Sequence, residues 1–207
     1  DLNNIKLVEV NQIGPGAARN IAIQQAESDY IAFIDGDDLL YPNAYQKLLE
    51  SISKNDADIV VGNVSRFNTT SSFFLSGLHK KIFSSAMEGT HISRYYPLLF
   101  DTTSWNKLFK TSFLKEENIL FPEGILYEDI PFNMEAHIKS RKTNIIMDYI
   151  YKWQLRDDVN KSITQSRVDI KNMIDRIKAM SIFNVMLEEN NITDIEFLEQ
   201  KELKELS

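Results

Sequence analysis

Tyr30-Ile31-Ala32-Phe33-Ile34, followed at once by Asp35-Gly36-Asp37-Asp38, is the stretch whose reading decides the fold. Five near-continuous apolar residues have the pattern of a strand covered on both faces. The run stops abruptly at three carboxylates. Upstream, Ala17 to Ala26 reads as a helix with Ile21 and Ala22 on its apolar face. It follows a break at Ile13-Gly14-Pro15-Gly16 and a short strand at Leu7-Val8-Glu9-Val10. Downstream, Pro42 suits the first turn of a helix whose Tyr45, Leu48, Leu49 and Ile52 recur at helical spacing. Asp58 to Gly62 is another strand. The order strand, helix, strand, helix, strand predicts an α/β fold with parallel neighbours in the sheet and helices on its faces.

The remaining chain is less regular. Val64 to Phe67, Phe73 to Leu78 and Lys81 to Phe83 read as strands of an excursion, with a polar turn at Thr69 to Ser72. His91 to Phe100 has a helical pattern, and Ser104 to Phe109 is a short segment around Trp105. Glu128 to Ser140 reads as a helix entered from Pro122-Glu123-Gly124. Asn144 to Met147 and Tyr149 to Leu155 read as two strands. From Val168 the pattern is helical, with Ile170, Met173, Ile174, Ile177, Met180, Val185 and Met186 on one side. Asn190-Asn191 breaks it, and Thr193 with Glu196 fits a capping box. These residues divide the chain into a main unit over 1–165 and a helical extension over 166–207. The extension is expected to fold as a helical hairpin on the core or to link a further domain.

Composition excludes several classes. In 207 residues, 43% are apolar, 11% aromatic and 26% charged, which is globular rather than disordered. The net charge is −7, from 23 Lys and Arg against 30 Asp and Glu, which argues against broad nucleic-acid binding. No apolar run reaches the ~20 residues of a membrane span. Cys is absent, so there is no disulfide, thiolate metal site or Cys nucleophile, in keeping with a cytoplasmic location. His79, His91 and His137 are too scattered for a His-rich zinc site.

The chemistry concentrates at Asp35, Asp37 and Asp38. Three carboxylates within four residues repel one another, and a cation relieves that cost. Asp oxygens are hard ligands suited to Mg²⁺ or Mn²⁺. The C-terminal end of a strand is also where open α/β sheets bind ligands. A solvated turn rich in Asp and Gly is the plain alternative.

Ala17-Ala18-Arg19-Asn20, then a helix, then Ser28-Asp29-Tyr30-Ile31-Ala32-Phe33-Ile34-Asp35-Gly36-Asp37-Asp38 resembles the family 2 glycosyltransferases of the GT-A fold. Ser104-Trp105-Asn106-Lys107-Leu108-Phe109, Phe121-Pro122-Glu123-Gly124 and Tyr127-Glu128-Asp129 resemble the acceptor side of bacterial members that build wall and capsule polymers. The resemblance covers most of residues 5–155. It implies a GT-A-type mixed, mainly parallel sheet flanked by helices. It also implies that two or so strand–helix units, the base-binding half, would precede Leu7.

By the same resemblance the activity is inverting transfer of a sugar from a nucleotide diphosphate, most commonly a UDP-sugar. The expected acceptor is a hydroxyl of a glycan or polyol-phosphate polymer such as teichoic acid, at the inner face of the plasma membrane. Asp37 and Asp35 would ligate the divalent cation, Mn²⁺ or Mg²⁺. Asp35 is otherwise a ribose contact, and Asp38 supports the site or meets the donor sugar. Asp129 is the expected general base, beside Glu128, at a helix start whose dipole would favour its ionised form. Arg19 anchors the diphosphate or pairs with the acidic cluster. Trp105 stacks on an acceptor sugar or packs in the core. Lys107 meets an anionic acceptor or sits on the surface. Arg156, before Lys161-Ser162-Ile163-Thr164, would lie on a loop over the diphosphate. Two rivals stand beside this reading. One is a non-catalytic glycan-binding or scaffolding domain. The other is a haloacid-dehalogenase-like phosphatase with Asp35 as nucleophile, for which Leu39-Leu40 after Asp38 is the wrong continuation.

Overall fold

The structure is a computed structural model that describes residues 5–10, 14–68, 70–71, 73–75, 79–155, 170–192, 194, 197–199 and 201. Its elements in chain order are α1 (Gly14–Gln25), β1 (Tyr30–Ile31), β2 (Leu39–Leu40), α2 (Ala44–Asn55), β3 (Ile59–Phe67) and β4 (Phe74–Leu75). Then come α3 (His79–Ile82), β5 (Met87–Thr90), a 3₁₀ turn (Tyr96–Phe100), β6 (Lys107–Lys110), α4 (Thr111–Glu116), α5 (Asp129–Lys139), β7 (Thr143–Gln154) and α6 (Ile170–Glu189).

The strands form one mixed sheet in the order β1-β6-β3-β7-β2, with β4 on β3 and β5 on β7. Its spine is the parallel pair β3 and β7, which runs from Ile59 opposite Thr143 to Phe67 opposite Gln154 with register shifts on both sides of Asn63. The other described pairings are antiparallel, so the parallel share is smaller than the strand–helix order implies. Residues alternate across β3. Ile59 and Val61 face a large core with Phe109, Phe132, Ile145 and Phe183. Val60 and Val64 face a smaller core with Leu48 and Ile52 of α2, Trp105 and Tyr151. Burial on both faces explains the apolar run of this strand. Gly62 belongs to the same spine, where a Cβ would lie 2.4 Å from the Ile150 side chain.

Several expectations are corrected. Only Tyr30 and Ile31 of the apolar run form a strand, paired to Lys110 and Phe109, and Ile34 is exposed. Leu7 to Val10 are exposed and lie outside any strand. Gly14-Pro15-Gly16 does not break the chain but opens α1, where a proline's missing N–H costs nothing. Lys81 and Ile82 belong to α3 rather than a strand. The helical pattern at His91 to Phe100 yields only a 3₁₀ turn over its second half. The two strands expected from Asn144 onward are one, β7, with its irregularity opposite Asn63.

The helical extension packs on the sheet's large core through Phe183, Met186 and Leu187, with Phe197 beyond it. The inward stripe of α6 is not the expected one, because Ile170, Met173, Ile174, Ile177 and Val185 are exposed. Thr193 and Glu196 of the expected capping box lie outside the described residues. Asp194 accepts the Phe197 N–H at 2.9 Å in that region. Among the described residues no helix is long and apolar enough to cross a membrane.

Candidate active site

The Asp35–Asp38 segment forms a tight turn between β1 and β2, with the Asp38 N–H donating to the Asp35 carbonyl at 3.2 Å. Asp38 points inward. Its Oδ2 accepts from the Tyr151 hydroxyl at 2.8 Å and its Oδ1 from the Gln154 N–H at 2.7 Å. The same Tyr151 oxygen accepts the Asp35 N–H at 3.1 Å. Burial pushes the Asp38 carboxyl up to about 6, against these two hydrogen bonds, and Asp37 and Asp35 add to the rise. Asp38 therefore holds the turn on β7 rather than facing a ligand. Asp37 is exposed at the turn's apex.

The second acidic pair lies at the start of α5, distant in sequence and adjacent in space. Arg19 of α1 joins the two. Its Nη2 donates to Asp35 Oδ1 at 2.9 Å, and its Nη1 to Glu128 Oε1 at 2.7 Å and Asp129 Oδ1 at 2.9 Å. Burial lowers the guanidinium's pKa, but Asp129, Asp35 and Glu128 together raise it further. Ser104 Oγ donates to Asp129 Oδ1 at 3.1 Å. Burial raises both Glu128 and Asp129 above the ordinary carboxylate range, although a fifth of the Asp129 side chain is accessible. For Asp129 this reverses the helix-dipole expectation. Desolvation outweighs the first-turn dipole and the Arg19 charge.

Three features seat this pair. Gly16 of α1 is so close to the loop before α5 that a Cβ would lie 2.7 Å from the Pro122 carbonyl and 3.3 Å from Glu128 Cγ. Asn20 clasps the same loop, donating to the Phe121 carbonyl at 2.9 Å and accepting the Phe121 N–H at 2.8 Å. Beneath both carboxylate loops lies one aromatic cluster. Phe121 stacks on Phe132 at 3.7 Å, and Phe33 meets both edge-on. Sequence reasoning assigned no role to Gly16, Asn20, Ser104 or Tyr151. Only Asn20 and Ser104 carried a signal, as members of the quoted motifs.

Both expectations for Lys107 are corrected, and of the two for Trp105 the core alternative holds. Lys107 is fully buried, its ammonium bonded to Asp101 Oδ1 at 2.7 Å, to Asn106 Oδ1 at 2.8 Å and to the Thr103 carbonyl. His137 Nε2 completes the pairing of Asp101 at 2.9 Å. A β-strand residue facing inward next to a buried Asp cannot reach an acceptor. Trp105 is buried and stacks on the Tyr151 ring at 4.2 Å, so it packs rather than offering a face to a sugar. Arg156 lies outside the described residues.

Among the described residues no group of three or more His, Asp or Glu is arranged to hold a metal ion. The donor set present is Asp37 with Asp35, whose Oδ1 is already taken by Arg19. Two hard oxygen donors fit Mg²⁺ or Mn²⁺ when phosphate oxygens and water complete the shell.

The sequence model of glycosyl transferase family 2 matches residues 3–117. The chain belongs to glycosyl transferase family 2. A poly(ribitol-phosphate) β-glucosyltransferase of Bacillus spizizenii is 33% identical over 158 residues, 75% of this chain and 24% of that protein. The poly(ribitol-phosphate) β-N-acetylglucosaminyltransferase TarS of Staphylococcus aureus is 26% identical over 191 residues, 90% of this chain and 32% of that one. The crystal structure of S. aureus TarS 1–349 in complex with UDP-GlcNAc shares the fold, with a TM-score of 0.62 at 18% identity over 94% of this chain and 60% of that one. This family 2 chain thus spans about a quarter to a third of the length of these curated relatives.

Proposed function

We propose that this family 2 chain transfers a hexosyl or N-acetylhexosaminyl group, with inversion, from a UDP-sugar to a hydroxyl of a poly(ribitol phosphate)-type polymer. The observation that carries the reading is the Arg19 bridge, which sets the Asp35 turn and the Glu128–Asp129 pair across one small space. The relatives named above, which act on poly(ribitol phosphate), support the acceptor class. The UDP-GlcNAc complex of the structural neighbour supports the donor class.

Asp129 is the base that takes the acceptor hydroxyl proton. Both of its hydrogen bonds fall on Oδ1, so Oδ2 is the oxygen to receive it. Its raised pKa brings it closer to neutral, where a general base is most effective. Glu128 shares Arg19 with Asp129 and fixes the guanidinium's position. Asp38 and Tyr151 hold the Asp35–Asp37 turn rigid. A Mg²⁺ or Mn²⁺ ion held by Asp37 and Asp35 would neutralise charge on the leaving diphosphate.

The test supplies UDP-glucose or UDP-N-acetylglucosamine, poly(ribitol phosphate) and Mn²⁺. Wild type should glycosylate the polymer, and EDTA should abolish it. Asp129→Asn should lose about 10³-fold in kcat while calorimetry shows donor binding retained. Normal turnover by Asp129→Asn refutes the base, and turnover indifferent to EDTA refutes the metal.

A further inference from the structure

Helix α6 turns the wrong residues inward by hydrophobic logic. Over its first two turns Ile170 is 75% exposed and Ile177 63%, while Asn172 and Asp175 are only 4% and 3% exposed. Burying an amide and a carboxylate in place of isoleucines costs free energy unless each meets a partner. Both meet the same short segment, the one that leads into α5. The Tyr127 hydroxyl donates to Asn172 Oδ1, and the Leu126 N–H donates to Asp175 Oδ2 at 3.3 Å. Asp175 is also paired with Lys178 at 3.1 Å.

The segment needs holding. Tyr127 has φ +64°, a left-handed conformation that costs a bulky aromatic residue free energy and persists only where its surroundings over-determine it. Glu128 and Asp129 follow directly. The Tyr127 carbonyl accepts the Ile130 N–H at 3.1 Å, which closes the turn around the pair. If Tyr127 relaxed to an ordinary φ, both carboxylates would swing away from Arg19.

We infer that Asn172 and Asp175 of the C-terminal helix are positioning residues that lock the Leu126–Tyr127 turn and thereby aim Glu128 and Asp129 at the Asp35 turn. This rests on the reading of Asp129 as the base. The helix is then part of the catalytic apparatus and not an appendage. A misplacement on the order of 1 Å is enough to lower a rate by 10²-fold, so loosening a turn should be visible in turnover before it is visible in stability.

The experiment compares the full chain with its Asn172→Ala, Asn172→Asp, Tyr127→Phe and Asp129→Asn variants in the transfer assay. Asn172→Ala and Tyr127→Phe should each lower kcat about tenfold with donor KM nearly unchanged. Asn172→Asp, which keeps an acceptor oxygen for Tyr127, should recover most of the loss. Hydrogen exchange supplies a readout free of activity. Asn172→Ala should speed exchange at the Ile130 amide about tenfold and leave the β3–β7 amides unchanged. If Asp129→Asn abolishes transfer while Asn172→Ala and Tyr127→Phe leave kcat intact, the positioning role is overturned and the base reading stands. Uniformly faster exchange across the sheet overturns it as well, since the bond would then be merely structural. Retained transfer by Asp129→Asn overturns the base and the positioning together.

Discussion

Two ion networks lie side by side, and they differ in how well their charges balance. In the buried one, Asp101, Lys107 and His137 are all fully inaccessible, and each oxygen of Asp101 has its own partner. Burial alone would push the Asp101 carboxyl up, yet Lys107 and His137 hold it well below the usual range. In the accessible network one guanidinium serves Asp35, Glu128 and Asp129 at once. Two of those three carboxylates sit above their ordinary range. In the first network both oxygens of Asp101 are paired, to Lys107 and His137, although His137 Nδ1 has no hydrogen-bond partner among the described residues. The second carries excess negative charge that a cation or a proton relieves, which is the state expected of a site built to handle both. They touch through the 103–107 segment, where Ser104 bonds Asp129 and Lys107 bonds Asp101.

Breaking the balanced network should have the largest effect on stability. Lys107→Met strands the Asp101 carboxylate in the core and should cost about 3–5 kcal/mol, read by urea unfolding. A loss under 1 kcal/mol would mean that water reaches Asp101. Removing the cation of the other network should cost far less. Arg19→Gln should lower stability by about 1 kcal/mol at pH 8, because its partners keep some contact with solvent. The sign with pH follows from Glu128 and Asp129, already raised, whose pKa values rise further once the lowering Arg19 charge is gone. Protonation then favours the folded state, so the loss should shrink between pH 8 and pH 5. Transfer should nonetheless fall steeply. A pH-independent deficit would equate the two networks and erase the contrast.

The smallest effect belongs to Asp38. Its folded-state pKa of about 6 lies above the unfolded 3.8. The stability it contributes is therefore fully present below pH 3.8 and is lost as pH rises through about 6. Thermal melts of wild type and Asp38→Asn across pH 4–7 should show wild type losing ground to the variant as pH rises. Parallel curves would remove Asp38 from the titration.

The carboxylates were legible because their spacing within short motifs survives without any knowledge of tertiary structure. The strands around them were legible only in part: β3 was read as two strands, Asp58 to Gly62 and Val64 to Phe67, β1 was read too long, and β2 was not read as a strand. Lys107 was misread, whereas the core alternative for Trp105 is the one the structure shows. Lys107 is buried at the start of β6, opposite Val61, and Trp105 just before that strand is buried against the Tyr151 ring. Burial of Lys107 depends on Asp101 and His137, and no local pattern announces that pairing. Asp129 was read with the correct helix start and the wrong direction of shift, because desolvation depends on what covers a residue. Helix α6 was recognised as a helix, but its inward stripe was misplaced by counting isoleucines. Asn172 and Asp175 go inside because the Tyr127 turn needs their oxygens.

The tie between Tyr127 and Asn172 also orders events in time. Asn172 follows Tyr127 by 45 residues, so on the ribosome every carboxylate of the site emerges before the side chain that aims the last two. A nascent chain halted short of α6 would contain the acidic turn, the Arg19 bridge and the base, yet lack the Asn172 side chain that bonds the Tyr127 hydroxyl. Competence to transfer a sugar would then arrive late in synthesis, with the completion of α6.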